Sequence, residues 1–109
     1  MKVALDCANG SACVTAKELF TTLGAECHIV SAEPDGVNIN DRCGSTHLEQ
    51  LQAYTVEQGC DIGLAFDGDA DRLLVIDEKG GLIDGDKIIA ICALDMKRRG
   101  QLAKDAAVV

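Results

Sequence analysis

Short apolar segments bounded by turn-forming residues constrain the fold of this chain more than any other feature of its sequence. Residues 3–5 are apolar and lead into Asn9-Gly10-Ser11, a turn signal in which Ser11 is a natural N-cap for a helix over residues 12–23. Gly24 ends that helix, and the segment Cys27-His28-Ile29-Val30 then favours a second strand. The pattern predicts a β-α-β unit with two parallel strands, because the helix carries the chain back across the sheet.

The predicted first helix also has an apolar face. Its large apolar side chains fall near one side at helical spacing, and they are Val14, Leu19, Phe20 and Leu23.

The rest of the chain continues to alternate between strand and helix patterns. Turn formers dominate residues 31–46, and we expect an ordered loop there, which at this length is often functional. Ile62–Phe66 is continuously apolar, as is typical of a buried central strand. The same signals predict a helix over residues 47–58, ended by Gly59, and a strand over 73–77, followed by a turn at 78–81. They also predict a helix that begins after Gly85 and ends at Lys97-Arg98-Arg99-Gly100, and an apolar strand over 106–109. A single three-layer α/β domain is therefore expected.

The charge of the chain is acidic and unevenly distributed. The formal net charge is −8 at pH 7, and residues 61–86 contribute −6 of it through eight acidic and two basic side chains. Such a surface would repel a nucleic-acid backbone, so no nucleic-acid partner is expected. No apolar run approaches the roughly 18 residues of a membrane span, and Asp6 interrupts any signal-peptide core. We therefore expect no membrane partner and an intracellular, cytoplasmic location.

Two sets of reactive side chains are interpreted as structural. The six cysteines lack the C-x-x-C spacing of zinc or redox sites, and most lie in apolar stretches, so reduced and largely buried thiols are expected. Ser45 and His47 lie close in sequence, but two residues of separation do not define a nucleophile and a base. A turn in which Ser45 or Thr46 caps the following helix is the favoured interpretation.

The clearest chemical signal is the hexapeptide Asp67-Gly68-Asp69-Ala70-Asp71-Arg72, which follows the predicted central strand. An extended strand would hold successive carboxylates about 6.6 Å apart, too far to share one cation, so the segment must curl. Gly68 permits that geometry and Ala70 adds little bulk, which lets Asp67, Asp69 and Asp71 converge on Mg²⁺. Arg72 adds a permanent cation suited to phosphate oxygens, so the pattern predicts a site for a phosphoryl group beside a metal.

Other interpretations of the hexapeptide remain open at this point. The acids could decorate a solvated turn between two strands. An EF-hand loop starting at Asp67 would find Glu78 at its twelfth position, but its sixth position is Arg72, where glycine is needed. A haloacid-dehalogenase-type phosphatase also has two aspartates after an apolar strand, although that resemblance gives Asp71 and Arg72 no role.

Several motifs resemble those of one enzyme family. The hexapeptide is similar to the metal-binding loop of the α-D-phosphohexomutases. The motifs around it resemble the phosphoglucosamine mutase branch of that family, and they are Asp6-Cys7-Ala8-Asn9-Gly10, Glu33-Pro34-Asp35-Gly36-Val37-Asn38-Ile39-Asn40, Cys43-Gly44-Ser45-Thr46-His47 and Asp84-Gly85-Asp86. The resemblance covers essentially the whole chain, with the motifs in order.

The resemblance implies a fold and a set of site residues. Residues 1–109 would be the second of four domains, a mixed and mainly parallel sheet of four strands with helices on both faces and the last strand antiparallel. Asp67, Asp69 and Asp71 would be the Mg²⁺ ligands, and Arg72 would hold the phosphoryl group near the metal. The family loop more often has glycine where Ala70 stands, and a methyl group there is tolerated if its φ is negative.

The resemblance also implies an activity that this chain would share with other domains. The family's enzyme interconverts glucosamine 6-phosphate and glucosamine 1-phosphate for cell-wall amino sugars, through a phosphoserine and a bisphosphorylated intermediate. The chain contains no Ala-Ser-His-Asn-Pro, Glu-x-Ser-Gly-His or Arg-x-Ser-Gly-Thr motif. We therefore expect a fragment that supplies metal and is inactive alone. The alternatives are another phosphohexomutase, acting on glucose or mannose phosphates, and an autonomous module that binds Mg²⁺ or Ca²⁺.

Overall fold

The computed structural model describes residues 1–100, apart from the side chain at position 46. Its elements alternate between strands and helices in the order β1 (Lys2–Asp6), α1 (Ala12–Thr22), β2 (Glu26–Val30), a 3-10 turn (Gly44–Thr46), α2 (Glu49–Glu57), β3 (Ile62–Phe66), β4 (Leu73–Asp77), β5 (Leu82–Ile83) and α3 (Gly85–Arg98). The strand predicted over residues 106–109 lies outside the described residues.

The strands form one mixed sheet in the order β2-β1-β3-β4-β5. β1 pairs parallel with both β2 and β3, which confirms the predicted β-α-β unit and the central position of Ile62–Phe66. β4 is antiparallel to β3, as the resemblance implied. The sheet has five strands rather than four, because Leu82–Ile83 folds back onto β4 after a tight turn. Two residues between Gly81 and Asp84 are too few to show a periodicity of two, so the sequence pattern did not reveal β5.

Helices cover both faces of the sheet, as expected for three layers. Side chains alternate between the faces along each strand, so Val3 and Leu5 of β1 point to one core and Ala4 to the other. The first core lies beneath α1 and receives Ile88 from α3. The second core lies beneath α2 and is centred on Leu51 and Ile76, both fully buried.

α1 packs against the sheet through alanines rather than through its large side chains. Ala12 and Ala16 are its buried residues, while Val14 is 81% exposed and Leu23 is 71% exposed. The predicted apolar face was therefore wrong for Val14, Leu19 and Leu23, and Phe20 is only partly buried. Small side chains let the helix lie close to the sheet, and this close approach leaves the larger side chains on the outer side.

α3 begins where the sequence predicted. The Asp84 side chain caps it by accepting a hydrogen bond of 2.9 Å from the N–H of Lys87, and basic residues occupy its last turn. None of its residues is fully buried. No helix within residues 1–100 has the length and apolar character needed to cross a membrane.

The second predicted cap was wrong. α2 begins at Glu49 with Leu48 at the N-cap position, so neither Ser45 nor Thr46 occupies it. The turn predicted there is present as the 3-10 turn Gly44–Thr46.

The cysteines carry free thiols. Cys7 is buried as its apolar stretch predicted, and Cys43 and Cys60 are buried too, but the prediction was wrong for Cys92, which is exposed. Burial is the main cause that raises the pKa of the three buried thiols, to about 12 for Cys7. Buried thiols with raised pKa values are mostly protonated near neutral pH, which makes them packing residues rather than nucleophiles.

Candidate metal centre

The hexapeptide 67–72, here called the acidic loop, connects the antiparallel strands β3 and β4. The N–H of Asp67 donates to the carbonyl oxygen of Arg72 at 3.3 Å, which closes the loop at its base. The N–H of Ala70 donates to the carbonyl oxygen of Asp67 at 2.9 Å, which turns the chain within it. The predicted curling of this segment is confirmed, and it brings residues four apart in sequence close together.

Asp67 anchors the loop from the inside. Its Oδ1 accepts hydrogen bonds from the N–H of Asp71 at 3.1 Å and from that of Arg72 at 3.3 Å. Its Oδ2 lies 3.9 Å from Nε of Arg72, whose side chain is 78% exposed against 16% for Asp67. Because the contact is long and the Arg72 side chain is exposed, the pair contributes little to stability, and the guanidinium can turn toward an incoming anion at small cost.

The carboxyl groups of Asp67 and Asp71 interact directly. Desolvation tends to raise the pKa of Asp67, but hydrogen bonds from Asp71 and from the N–H groups of Arg72 and Asp71 outweigh it and lower that pKa. The hydrogen bond to Asp67, together with its charge, raises the pKa of Asp71. These opposite shifts indicate that the Asp67 and Asp71 carboxyl groups influence each other within the folded loop.

Asp69 stands apart from this pair. It is exposed at the tip of the loop, and within residues 1–100 no three His, Cys, Asp or Glu side chains are grouped so that they could hold a metal ion. Mutual repulsion of three like charges favours this separation in the metal-free loop. The donor set still fits a hard cation, since three carboxylates lie on one short connection.

Ala70 adopts the left-handed conformation with φ 57°. The condition stated above for a tolerated methyl group, a negative φ, is therefore not met. The turn needs a left-handed residue here, which explains why glycine suits the position and why the methyl group strains the loop.

The β1–α1 turn contacts the acidic loop through Ser11, and sequence reasoning did not predict this contact. Ser11 occupies the N-cap position of α1, but its side chain makes no capping hydrogen bond, contrary to the prediction. Instead its hydroxyl donates to the carbonyl oxygen of Gly68 at 3.2 Å. The only available signal was that both segments follow neighbouring parallel strands, whose carboxyl ends meet at one edge of the sheet.

Asp6 is a second residue of this edge that sequence reasoning did not assign. Its side chain is fully buried, with Oδ1 accepting from the N–H of Ala8 at 2.9 Å and Oδ2 from the N–H of Gly44 at 2.8 Å. A Cβ at Gly44 would lie 2.6 Å from the carbonyl oxygen of Phe66, the last residue of β3. Asp6 thus holds the end of loop 31–46 against the strand that leads into the acidic loop.

His28 lies on β2, as predicted, and its ring Nε2 is 3.1 Å from Oε1 of Glu26.

Comparison with known proteins identifies the architecture. The fold and the acidic loop define an α/β/α domain with an acidic connection at the carboxyl edge of a mixed sheet. Residues 1–81 match the family model described as phosphoglucomutase/phosphomannomutase, alpha/beta/alpha domain II. The chain belongs to the phosphoglucomutase/phosphomannomutase family, and the resemblance noted from its motifs is confirmed.

Two curated relatives of this chain are phosphoglucosamine mutases. A phosphoglucosamine mutase of Clostridium acetobutylicum is 59% identical over 109 residues, which is all of this chain and 24% of that protein. A phosphoglucosamine mutase of Lachnoclostridium phytofermentans is 57% identical over 108 residues, 99% of this chain and 24% of the relative. This chain therefore spans about a quarter of the length of these relatives.

Solved structures agree with the fold. A phosphoglucomutase/phosphomannomutase family protein of Burkholderia thailandensis superposes with a TM-score of 0.79 at 34% identity, covering 92% of this chain and 22% of that one. An N-acetylphosphoglucosamine mutase of Aspergillus fumigatus, in complex with glucose 1,6-bisphosphate, has a TM-score of 0.64 at 27% identity, covering 89% and 21%.

Proposed function

We propose that this chain is the metal-binding domain of a cytoplasmic phosphoglucosamine mutase, which interconverts glucosamine 6-phosphate and glucosamine 1-phosphate. The similarity to phosphoglucosamine mutases over the whole chain supports that choice of sugar phosphate. The curled geometry of the acidic loop is the observation that carries the metal-binding role, because hydrogen bonds within residues 67–72 bring the backbone of Asp71 to the carboxylate of Asp67.

In this proposal Asp67, Asp69 and Asp71 hold Mg²⁺. The ion would supply positive charge to a phosphoryl group during its transfer. Asp67 keeps the loop curled through its hydrogen bonds to the backbone of Asp71 and Arg72, so its ligand oxygens are positioned before any ion arrives. Asp69 has only to turn inward from its exposed position at the tip. An ion also removes the repulsion that a triply anionic loop would exert on an anionic substrate.

Arg72 acts on the phosphoryl group itself. Its guanidinium is exposed and lies beside the carboxylates, so it can donate to phosphoryl oxygens while the metal ligands stay in place. A cation cannot be a metal ligand, so its contribution falls on the charge that develops during transfer.

The other parts of the reaction belong to the parent protein. The serine that carries the phosphoryl group and the groups that bind the sugar would come from three further domains, with the transfer passing through a bisphosphorylated sugar. We therefore expect this chain alone to show no mutase activity.

Kinetics of the full-length parent test the proposed role of Arg72. Arg72→Ala should lower kcat with glucosamine 6-phosphate about 100-fold and leave the Mg²⁺ dependence of the rate nearly unchanged. Lys79→Ala, which removes an exposed cation from the β4–β5 turn, is the matched control and should behave as the parent.

Two results would contradict the proposal. If Arg72→Ala keeps its kcat but loses affinity for Mg²⁺, Arg72 supports the metal instead of the phosphoryl group. If the isolated chain turns over glucosamine phosphates when free of contaminating mutase, the division of the active site among domains is wrong.

The alternative of another phosphohexomutase is favoured by one observation. The Burkholderia neighbour carries the broader phosphoglucomutase/phosphomannomutase name at 34% identity. Relative kcat/KM of the parent for glucosamine, glucose and mannose phosphates decides between the two, and we expect glucosamine phosphate to be preferred.

A further inference from the structure

A single carbonyl oxygen at the centre of the acidic loop receives two hydrogen bonds from one distant residue. The backbone N–H of Ser11 donates to the carbonyl oxygen of Gly68 at 3.0 Å, and the Ser11 hydroxyl donates to the same oxygen at 3.2 Å. Gly68 is buried and lies directly between Asp67 and Asp69. The contact therefore joins the start of α1 to the middle of the proposed metal site.

This contact fixes the orientation of the peptide group that joins Gly68 to Asp69. The carbonyl of Gly68 and the N–H of Asp69 belong to one planar peptide group, which is trans, so they point in opposite directions. Holding the carbonyl toward Ser11 directs the N–H of Asp69 away from α1. The orientation of that peptide plane thus sets the position from which the Asp69 carboxylate must reach a cation.

The atoms around Gly68 prevent the residue from moving as a whole. Rotation of the Gly68–Asp69 peptide group is therefore the main motion left to it. A Cβ at Gly10 would lie 2.8 Å from Cα of Gly68, and a Cβ at Gly68 would lie 2.6 Å from the side chain of Ile39 and 2.8 Å from Nδ2 of Asn40. The glycine is therefore enclosed on two sides and cannot shift as a unit. A second donor on its carbonyl oxygen restricts the rotation that one donor would permit.

We infer that Ser11 is a positioning residue for the Mg²⁺ site, because its hydroxyl fixes the Gly68–Asp69 peptide. This inference rests on the proposed metal-binding function of the acidic loop. Replacing the hydroxyl leaves the N–H of residue 11 in place, and alanine suits a helix start sterically. The variant Ser11→Ala should therefore keep its fold and bind metal about fivefold more weakly, as expected for one lost hydrogen bond.

The experiment is a titration of the full 109-residue chain with Mn²⁺, followed by electron paramagnetic resonance of the free ion, in inorganic phosphate buffer. Ser11→Thr retains the hydroxyl, and its affinity for Mn²⁺ should lie within twofold of that of the unsubstituted chain. Thr22→Ala is the matched control, because Thr22 Oγ1 makes a comparable hydrogen bond of 2.8 Å to the carbonyl oxygen of Glu18 at the other end of α1. Thermal melting of each metal-free variant runs in parallel.

A fivefold loss in Ser11→Ala, absent from Ser11→Thr and Thr22→Ala and without a change in melting temperature, supports the inference. Binding by Ser11→Ala equal to that of the parent overturns it and leaves the proposed function intact. A loss of affinity that follows a lower melting temperature and is not restored in Ser11→Thr also overturns it, because the role is then only structural. Failure of the unsubstituted 109-residue chain to bind Mn²⁺ overturns the proposed metal site and this inference with it.

Discussion

Ala70 is the residue at which the acidic loop accepts a strained backbone. Its φ of 57° lies in the left-handed region, where a Cβ meets the following carbonyl oxygen. The connection between β3 and β4 requires this conformation, since the N–H of Ala70 must donate to Asp67 to turn the chain. The strain is confined to this residue, so its relief can be measured as an increase in the free energy of unfolding.

We predict that Ala70→Gly stabilises the chain by about 0.5–1 kcal/mol. Relief of a left-handed Cβ is worth roughly 1–2 kcal/mol, and the greater freedom of glycine in the unfolded chain offsets part of it. Urea unfolding measures the difference. The control is Ala53→Gly at an exposed position of α2, which should lose about 1 kcal/mol because its conformation is helical. Equal losses in both variants would show that Ala70 is not strained.

At the scale of elements, the important junction is that between the start of α1 and the acidic loop. The two segments lie at the carboxyl ends of the neighbouring parallel strands β1 and β3, so the sheet itself brings them together. Gly10 makes the contact possible, because any side chain there would collide with the carbonyl oxygen of Gly68.

Gly10→Ala should therefore destabilise the chain by about 1–3 kcal/mol, which is the usual cost of overpacking. Gly85→Ala is the matched control, since no atom lies within 4 Å of a Cβ there and the residue begins α3. That variant should gain up to about 1 kcal/mol from helix propensity. Urea unfolding compares the two, and a Gly10→Ala variant as stable as the parent would mean that the turn and the loop do not touch.

Sequence patterns predicted the order of elements except for β5, because the other elements have strong local signals. The β-α-β unit, the central strand β3 and the helix α3 all follow from apolar runs and turn residues within a few positions. The buried face of α1 did not follow, since Ala12 and Ala16 carry too little apolar surface to dominate a helical pattern. The bond between Ser11 and Gly68 spans 57 positions, so it depends on tertiary packing that no local pattern records.

For the candidate site, the residue types were predictable but their arrangement was not. Alternating aspartates after an apolar strand indicated a curled acidic loop, which the structure confirms. Local spacing gave no reason for Asp67 and Asp71 to pair while Asp69 stays at the tip. That division arises from backbone hydrogen bonds and from repulsion among three like charges, both of which depend on the folded loop.

At the scale of the whole molecule, the chain covers about a quarter of its relatives, and it belongs to their second domain type. The exposed apolar side chains on α1 and α3 include Val14, Leu19 and Leu94. The proposed Mg²⁺ ligands all lie on the acidic loop between β3 and β4, so the proposed metal site can be tested on this chain without the full-length protein.

The most direct test is the thermal stabilisation of the chain by Mg²⁺, with Mn²⁺ in parallel, titrated to tens of millimolar. A ligand that binds only the folded state raises the melting temperature, by about 5 °C or more once its concentration is about ten times Kd. Without metal, the melting temperature of Asp69→Asn should lie within about 2 °C of that of the unsubstituted chain, because Asp69 is exposed and stands outside the Asp67–Asp71 pair. With metal, Asp69→Asn should lose most of the rise in melting temperature. Glu78→Gln, which removes a nearby exposed charge and the last ligand of the EF-hand alternative, should keep that rise. Equal shifts for the parent, Asp69→Asn and Glu78→Gln would show that the divalent ions act on surface charge in general, and would contradict the metal site.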